Sequence, residues 1–223
     1  MINTGGTISG LAAVFFDMDG LLVDTEPLWL ETEIGVVKRL GGTPWTEEDQ
    51  LQLLGGSLNR TVRYLLDRAT RPVPPETVGE WMMDGVESLV RAKGVPLQPG
   101  ARELHQALRA DEVPIGLVTS SQRSFMRAVL ETIELDFDIT VCAQDVTATK
   151  PDPEPYQLAA KLLSVQPADC VVLEDSPNGV AAGEAAGCVV VAVPSFVAME
   201  PVPGRLVLSS LAEVGVPLLR SLV

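Results

Sequence analysis

A single histidine, His105, stands in a chain of 223 residues. That scarcity excludes a multi-histidine metal site and any acid–base scheme built on a histidine pair, leaving proton transfer to carboxylates. Basic residues are also few: 16 Lys and Arg face 30 Asp and Glu, a net charge of −14 with histidine neutral. Nucleic-acid backbones and anionic membrane surfaces are held by clustered Lys and Arg, so neither is expected as a partner. No apolar run approaches the ~18 residues of a membrane-spanning helix. Residues 1–10 lack the positive start and apolar stretch of a secretion signal, and read as a floppy leader. Cys142, Cys170 and Cys188 are odd in number and show no paired spacing of a zinc or redox motif. They read as buried, inert thiols, and a cytoplasmic protein is expected.

What the chain does have is apolar material, 46% of its residues, enough for a sizeable core. Continuous apolar runs at 11–16, 113–119, 138–143, 170–173 and 188–193, with a weaker one at 205–208, predict strands buried on both faces. Helical patterns at 101–110, 122–133, 154–164 and 178–186 alternate with them, which predicts an α/β fold with a parallel sheet. Residues 26–94 break the rhythm. Their four segments, 26–40, 47–54, 59–69 and 76–93, have helical spacing and are separated by Gly- and Pro-rich turns. The domain expectation is therefore an α/β core over 11–25 and 96–223, with an all-α cap over 26–95 inserted after the first strand.

The first strand runs directly into Asp17-Met18-Asp19-Gly20. Ligands of open α/β sheets sit at the carboxyl ends of strands, so Asp17 reads as a nucleophile and Asp19 as a general acid and base. A polar turn ending a strand reads equally well from this segment alone. Three downstream segments tip the balance. Thr119-Ser120-Ser121 places hydroxyls at another strand end, where they can cradle a phosphate, although Ser121 reads better as a helix N-cap. Lys150 is pinned ahead of Pro151-Asp152-Pro153-Glu154-Pro155-Tyr156, positioned to neutralise a phosphate and a carboxylate. Glu174 and Asp175 follow a buried strand and repel each other unless a cation compensates; Asp17 and Asp175 together suit Mg²⁺.

DMDGLLVDTE, the VTSS turn, KPDPEPY and VVLEDSPNGVAAGEAAG, in this order and spread over nearly the whole chain, resemble the four motifs of the haloacid dehalogenase superfamily. The likeness is to its phosphatase and β-phosphoglucomutase-like branch. The resemblance implies a Rossmann-like core with a helical cap, and a Mg²⁺-dependent phosphomonoester hydrolase acting on a small phosphorylated metabolite such as a sugar phosphate. It implies an aspartyl-phosphate on Asp17, proton transfer by Asp19, and a phosphoryl group held by Thr119 and Lys150. Metal ligands are implied at Asp17, Asp19 (through its carbonyl), Asp175 and Glu174. Phosphoryl transfer of the mutase type and a non-catalytic binder of phosphometabolites are the alternatives. Against the mutase, Trp29 stands where that enzyme has a histidine, and Leu58 stands where it has an arginine, with Arg60 nearby. Ser120, Arg60 and Trp29 are the expected substrate contacts; Arg63 reads as a solvated neighbour and His105 as structural or exposed. A monomer is expected.

Overall fold

The computed structural model describes residues 10–53, 57–195 and 197–223. Of the expected leader only Gly10 is described; Leu54, and Gly55 and Gly56 of the expected helix-to-helix turn, lie outside the described residues. The strands are β1 (Ala13–Phe16), β2 (Ile115–Val118), β3 (Ile139–Val141), β4 (Cys170–Glu174), β5 (Val189–Ala192) and β6 (Arg205–Val207). The α-helices among the described residues are α1 (Glu26–Arg39), α2 (Glu47–Leu53), α3 (Leu58–Asp67), α4 (Pro75–Lys93), α5 (Ala101–Ala110), α6 (Arg123–Ile133), α7 (Glu154–Leu163), α8 (Pro177–Ala185) and α9 (Val216–Arg220). Every strand and helix expected from the sequence is present, with ends moved by two residues at most. The short α9 was not anticipated: five residues give too little periodicity to read.

All six strands are parallel, in the order β3-β2-β1-β4-β5-β6. Every residue of β1, β2 and β4 is buried, because a strand covered on both faces needs an apolar side chain at each position. The exception is Glu174, a carboxylate at the last position of β4 with no exposed surface. The chain winds outward from β1 to β3 and then returns to the far side of β1 at β4. This is the Rossmann-like order, and its switch point is the crevice at the carboxyl ends of β1 and β4. Register pairs Phe16 with Leu173, so these two strands end side by side.

The chain divides into two compact units. The unit carrying the sheet comprises residues 10–22, 98–121 and 135–223 among those described. Its core packs Phe15, Val172 and Val190 of the sheet with Tyr156 and Ala159 of α7 and Val180 and Ala182 of α8. The three cysteines are buried, and among the described residues none forms a disulfide.

The second unit, residues 23–97 and 122–134, is helical. Val36 and Val37 of α1, Val62 and Leu65 of α3, and Val78 and Met82 of α4 form its core, with Trp29, Trp45 and Trp81 packed against it. Asp49, 1% exposed, knots α2 to α3: it accepts hydrogen bonds from the Thr46 amide (2.7 Å), the Tyr64 hydroxyl (2.6 Å) and the Arg68 guanidinium. The division departs from the expected bounds: residues 23–25 and 96–97 group with the helical unit, and so does one helix after β2. Helix α6, expected with the sheet because it follows β2, groups with the helical unit. Its Phe125 ring lies 5.2 Å from that of Trp29, and Glu131 accepts a hydrogen bond from Arg91 of α4. Among the described residues no helix is long and apolar enough to cross a membrane.

Candidate active site

The Asp17 amide donates to the Leu173 carbonyl (3.0 Å), locking the end of β1 to the end of β4. That link sets Asp17 beside Glu174 and Asp175, and carboxylate oxygens of all three lie within 4.8 Å of one another. Lys150 enters from the turn before α7 with its side chain only 4% exposed. Its ammonium spends all three N–H bonds, on Asp17 Oδ1 (2.5 Å), Glu174 Oε1 (2.6 Å) and the Val118 carbonyl (2.8 Å).

One buried ammonium cannot balance three buried carboxylates, and the titration of the group reflects the imbalance. Burial, reinforced by the Glu174 charge, pushes Asp17 well above the usual carboxylate range, with Lys150 pulling the other way. The same two causes push Asp175 up to about 7, opposed by the Ser195 hydroxyl and Lys150. Burial works to lower the Lys150 pKa, yet Asp17 and Glu174 outweigh it and hold the ammonium charged. A hard divalent cation with oxygen ligands is the partner this donor set fits.

The two carboxylates of β4's end are held differently. Glu174 Oε1 accepts from Lys150 and from the Tyr156 hydroxyl (2.7 Å). Its Oε2 accepts from the Asp175 and Ser176 amides (3.1 and 3.3 Å) and the Ser176 hydroxyl (3.2 Å). Glu174 therefore turns its carboxylate back onto the short link between β4 and α8. Gly179 makes the approach possible, since a Cβ there would lie 1.8 Å from Glu174 Oε1. Asp175 keeps more of its coordination capacity: among the described residues only the Ser195 hydroxyl reaches its side chain, at 2.5 Å from Oδ2.

Asp19 stands in the turn after β1, which Gly20 completes at φ +86°. Its Oδ2 accepts from the Ser121 hydroxyl (2.7 Å) and, more distantly, from that of Thr119 (3.4 Å), whose oxygen in turn accepts the Ser121 amide (2.9 Å). Ser121 thus does not act as the expected N-cap: that position of α6 belongs to Gln122, and the serine hydroxyl is turned onto Asp19. Ser120 is exposed on the same turn. Gln98 braces the turn, its side chain donating to the Gly20 carbonyl (3.0 Å) and its amide to that of Leu22 (2.9 Å).

Asp17, Asp19, Thr119, Lys150, Glu174 and Asp175 are therefore brought together in the sheet-bearing unit. Trp29 and Arg60 belong to the helical unit, Trp29 half-buried on Phe125 and Arg60 exposed on α3 with Arg63. His105 is buried at 4% exposure, its Nε2 against the Asp136 carbonyl (2.7 Å), a structural role. Ser195, Tyr156 and Gln98 were not assigned from sequence. Tyr156 belongs to the KPDPEPY motif, a local signal, whereas Ser195 follows β5, the neighbour of β4, and only topology brings it to Asp175.

The family model described as haloacid dehalogenase-like hydrolase matches residues 14–193. Over 188 residues the chain is 34% identical to Hexitol phosphatase B of Escherichia coli (strain K12), covering 83% of this chain and 84% of that one. Over 189 residues it is 32% identical to the Phosphorylated carbohydrates phosphatase of Thermotoga maritima, covering 79% and 82%. Among solved structures, CbbY from Rhodobacter sphaeroides in complex with phosphate superposes with a TM-score of 0.78 at 26% identity, covering 92% of this chain and 96% of that chain.

Proposed function

The chain belongs to the haloacid dehalogenase-like hydrolases, and from that premise we propose that it is a Mg²⁺-dependent phosphatase that hydrolyses a small sugar or polyol phosphate through a phosphoryl group carried on Asp17. The observation that carries the reading is the Lys150 ammonium seated between Asp17 and Glu174 with Asp175 alongside. Asp17 attacks the phosphorus of the monoester, and the bond to the leaving alcohol breaks as Asp19 gives that oxygen a proton. Asp19 then takes a proton from a water molecule, which attacks the phosphorus, releases inorganic phosphate and restores the Asp17 carboxylate. The Lys150 charge attracts the phosphoryl oxygens, with one N–H passing from Asp17 Oδ1 to them as that carboxylate attacks, and the Thr119 hydroxyl helps hold them in line. Asp17, Asp175 and the Asp19 carbonyl would hold Mg²⁺, with Glu174 beside them as the counter-charge of Lys150. When bound, the ion offsets the negative charge of the phosphoryl oxygens.

The names of two relatives, a hexitol phosphatase and a phosphorylated-carbohydrate phosphatase, support a polyhydroxylated substrate. Arg60, Trp29 and Ser120 are the residues proposed to meet it, the helical unit serving as the specificity cap. A complete set of site residues on one chain supports a monomer, and three buried thiols outside any disulfide suit the cytoplasm. The test is phosphate release from a panel of hexose, pentose and hexitol phosphates with Mg²⁺. Release that Asp17→Asn abolishes is the expected result, and no release from any member of the panel contradicts the reading. Trp29 and Leu58 favour hydrolysis over mutase chemistry, so β-glucose 1-phosphate is expected to yield free phosphate rather than glucose 6-phosphate.

A further inference from the structure

We propose that Ser195 is a positioning residue for Asp175, fixing one carboxylate oxygen so that the other faces the divalent cation; the inference rests on the metal site of the preceding reading. Ser195 lies in the loop after β5, and its Oγ donates to Asp175 Oδ2 at 2.5 Å. The turn after β1 also closes on that atom. A Cβ on Gly20 would stand 2.1 Å from Asp175 Oδ2 and 3.4 Å from Ser195 Oγ. Backbone and hydroxyl thus both approach Oδ2, and among the described residues that hydroxyl is the carboxylate's only side-chain donor. Glu174 next to it is held by five hydrogen bonds, so loss of one would be shared. Loss of the Ser195 bond would leave Asp175 without a tether.

Outer partners that orient a metal-ligating side chain commonly change metal affinity by about 10–100-fold when removed. Ser195 is itself exposed, so its replacement disturbs no core packing. The test is calorimetric titration of the full chain with Mg²⁺ alone, no substrate present, for the wild type, Ser195→Ala and Ser195→Thr. Binding about 10-fold weaker in Ser195→Ala, restored in Ser195→Thr, with metal-free melting temperatures unchanged, is the expected result. Equal affinity in wild type and Ser195→Ala overturns the role of Ser195 and leaves the phosphatase reading intact. A wild type that takes up no Mg²⁺ overturns the metal site itself, and the role of Ser195 with it. Should Ser195→Ala not fold, Ser195→Cys, which retains size but donates weakly, is expected to bind more weakly than wild type, and wild-type affinity overturns the proposal.

Discussion

Gly179 shows how one absent methyl group serves the site. It lies in the first turn of α8, where exchanging Gly for Ala ordinarily stabilises a helix by ~1 kcal/mol. Here the sign reverses, because the added Cβ would fall within 2.1 Å of both Glu174 oxygens and that carboxylate is fixed by Lys150, Tyr156 and Ser176. Gly179→Ala is expected to lower stability by about 2–4 kcal/mol, in the range of core overpacking with a broken polar network. Urea unfolding measures it, and a stabilised variant would show that Glu174 moves aside freely. At this scale the cluster of Asp17, Asp19, Lys150, Glu174 and Asp175 was legible, because each sits in a short motif, the acids at strand ends and the lysine ahead of a proline-rich turn. Ser121 bonds Asp19 rather than capping α6, and a hydroxyl before a helix looks the same in sequence in either role. Ser195 and Gln98 carry no local signal at all; their partners are 20 and 78 residues away.

Among the elements, α1 carries a liability that pH exposes. Its Glu33 is 8% exposed, and burial, with the Glu26 charge adding to it, pushes its pKa up to about 7. The unfolded chain titrates this group near ~4.3. Between those values the folded state holds more protons than the unfolded one, so stability is highest on the acid side and falls as pH rises through about 7. Glu33→Gln removes that loss: it is expected to gain roughly 1–3 kcal/mol at pH 8 and nothing at pH 4. Denaturant melts at the two pH values check this, and an equal effect at both would contradict it. Elements were the most legible level, since fully buried strands show as unbroken apolar runs and cap helices as 3.6-residue patterns. The company that α6 keeps was not legible: its apolar face is plain in sequence, whereas the choice of Trp29 and α4 as neighbours is set by tertiary packing.

For the whole molecule, the opening imbalance of charge gains a location. The segment 26–95 holds 11 acidic and 8 basic residues, so most of the −14 lies elsewhere, with the strand-end carboxylates among it. An anionic substrate approaches a strongly anionic protein, and raising salt from ~0.01 to ~0.15 M shortens the screening length from about 30 Å to about 8 Å. kcat/KM is therefore expected to rise, severalfold at most, over that range; a steep fall would show that a local positive field governs capture instead. The single histidine keeps its negative meaning, for His105 is buried against Asp136, and the proposed chemistry calls on carboxylates and one lysine. The proposed reaction turns on Asp17 carrying the phosphoryl group. The direct measurement is rapid acid quenching of the enzyme during turnover with Mg²⁺ and substrate, followed by peptide mass mapping. One phosphoryl group on the peptide bearing Asp17, absent from Asp17→Asn and from substrate-free enzyme, is the predicted result. Steady turnover with that peptide unmodified, and an Asp17→Asn variant that still releases phosphate, would contradict the account.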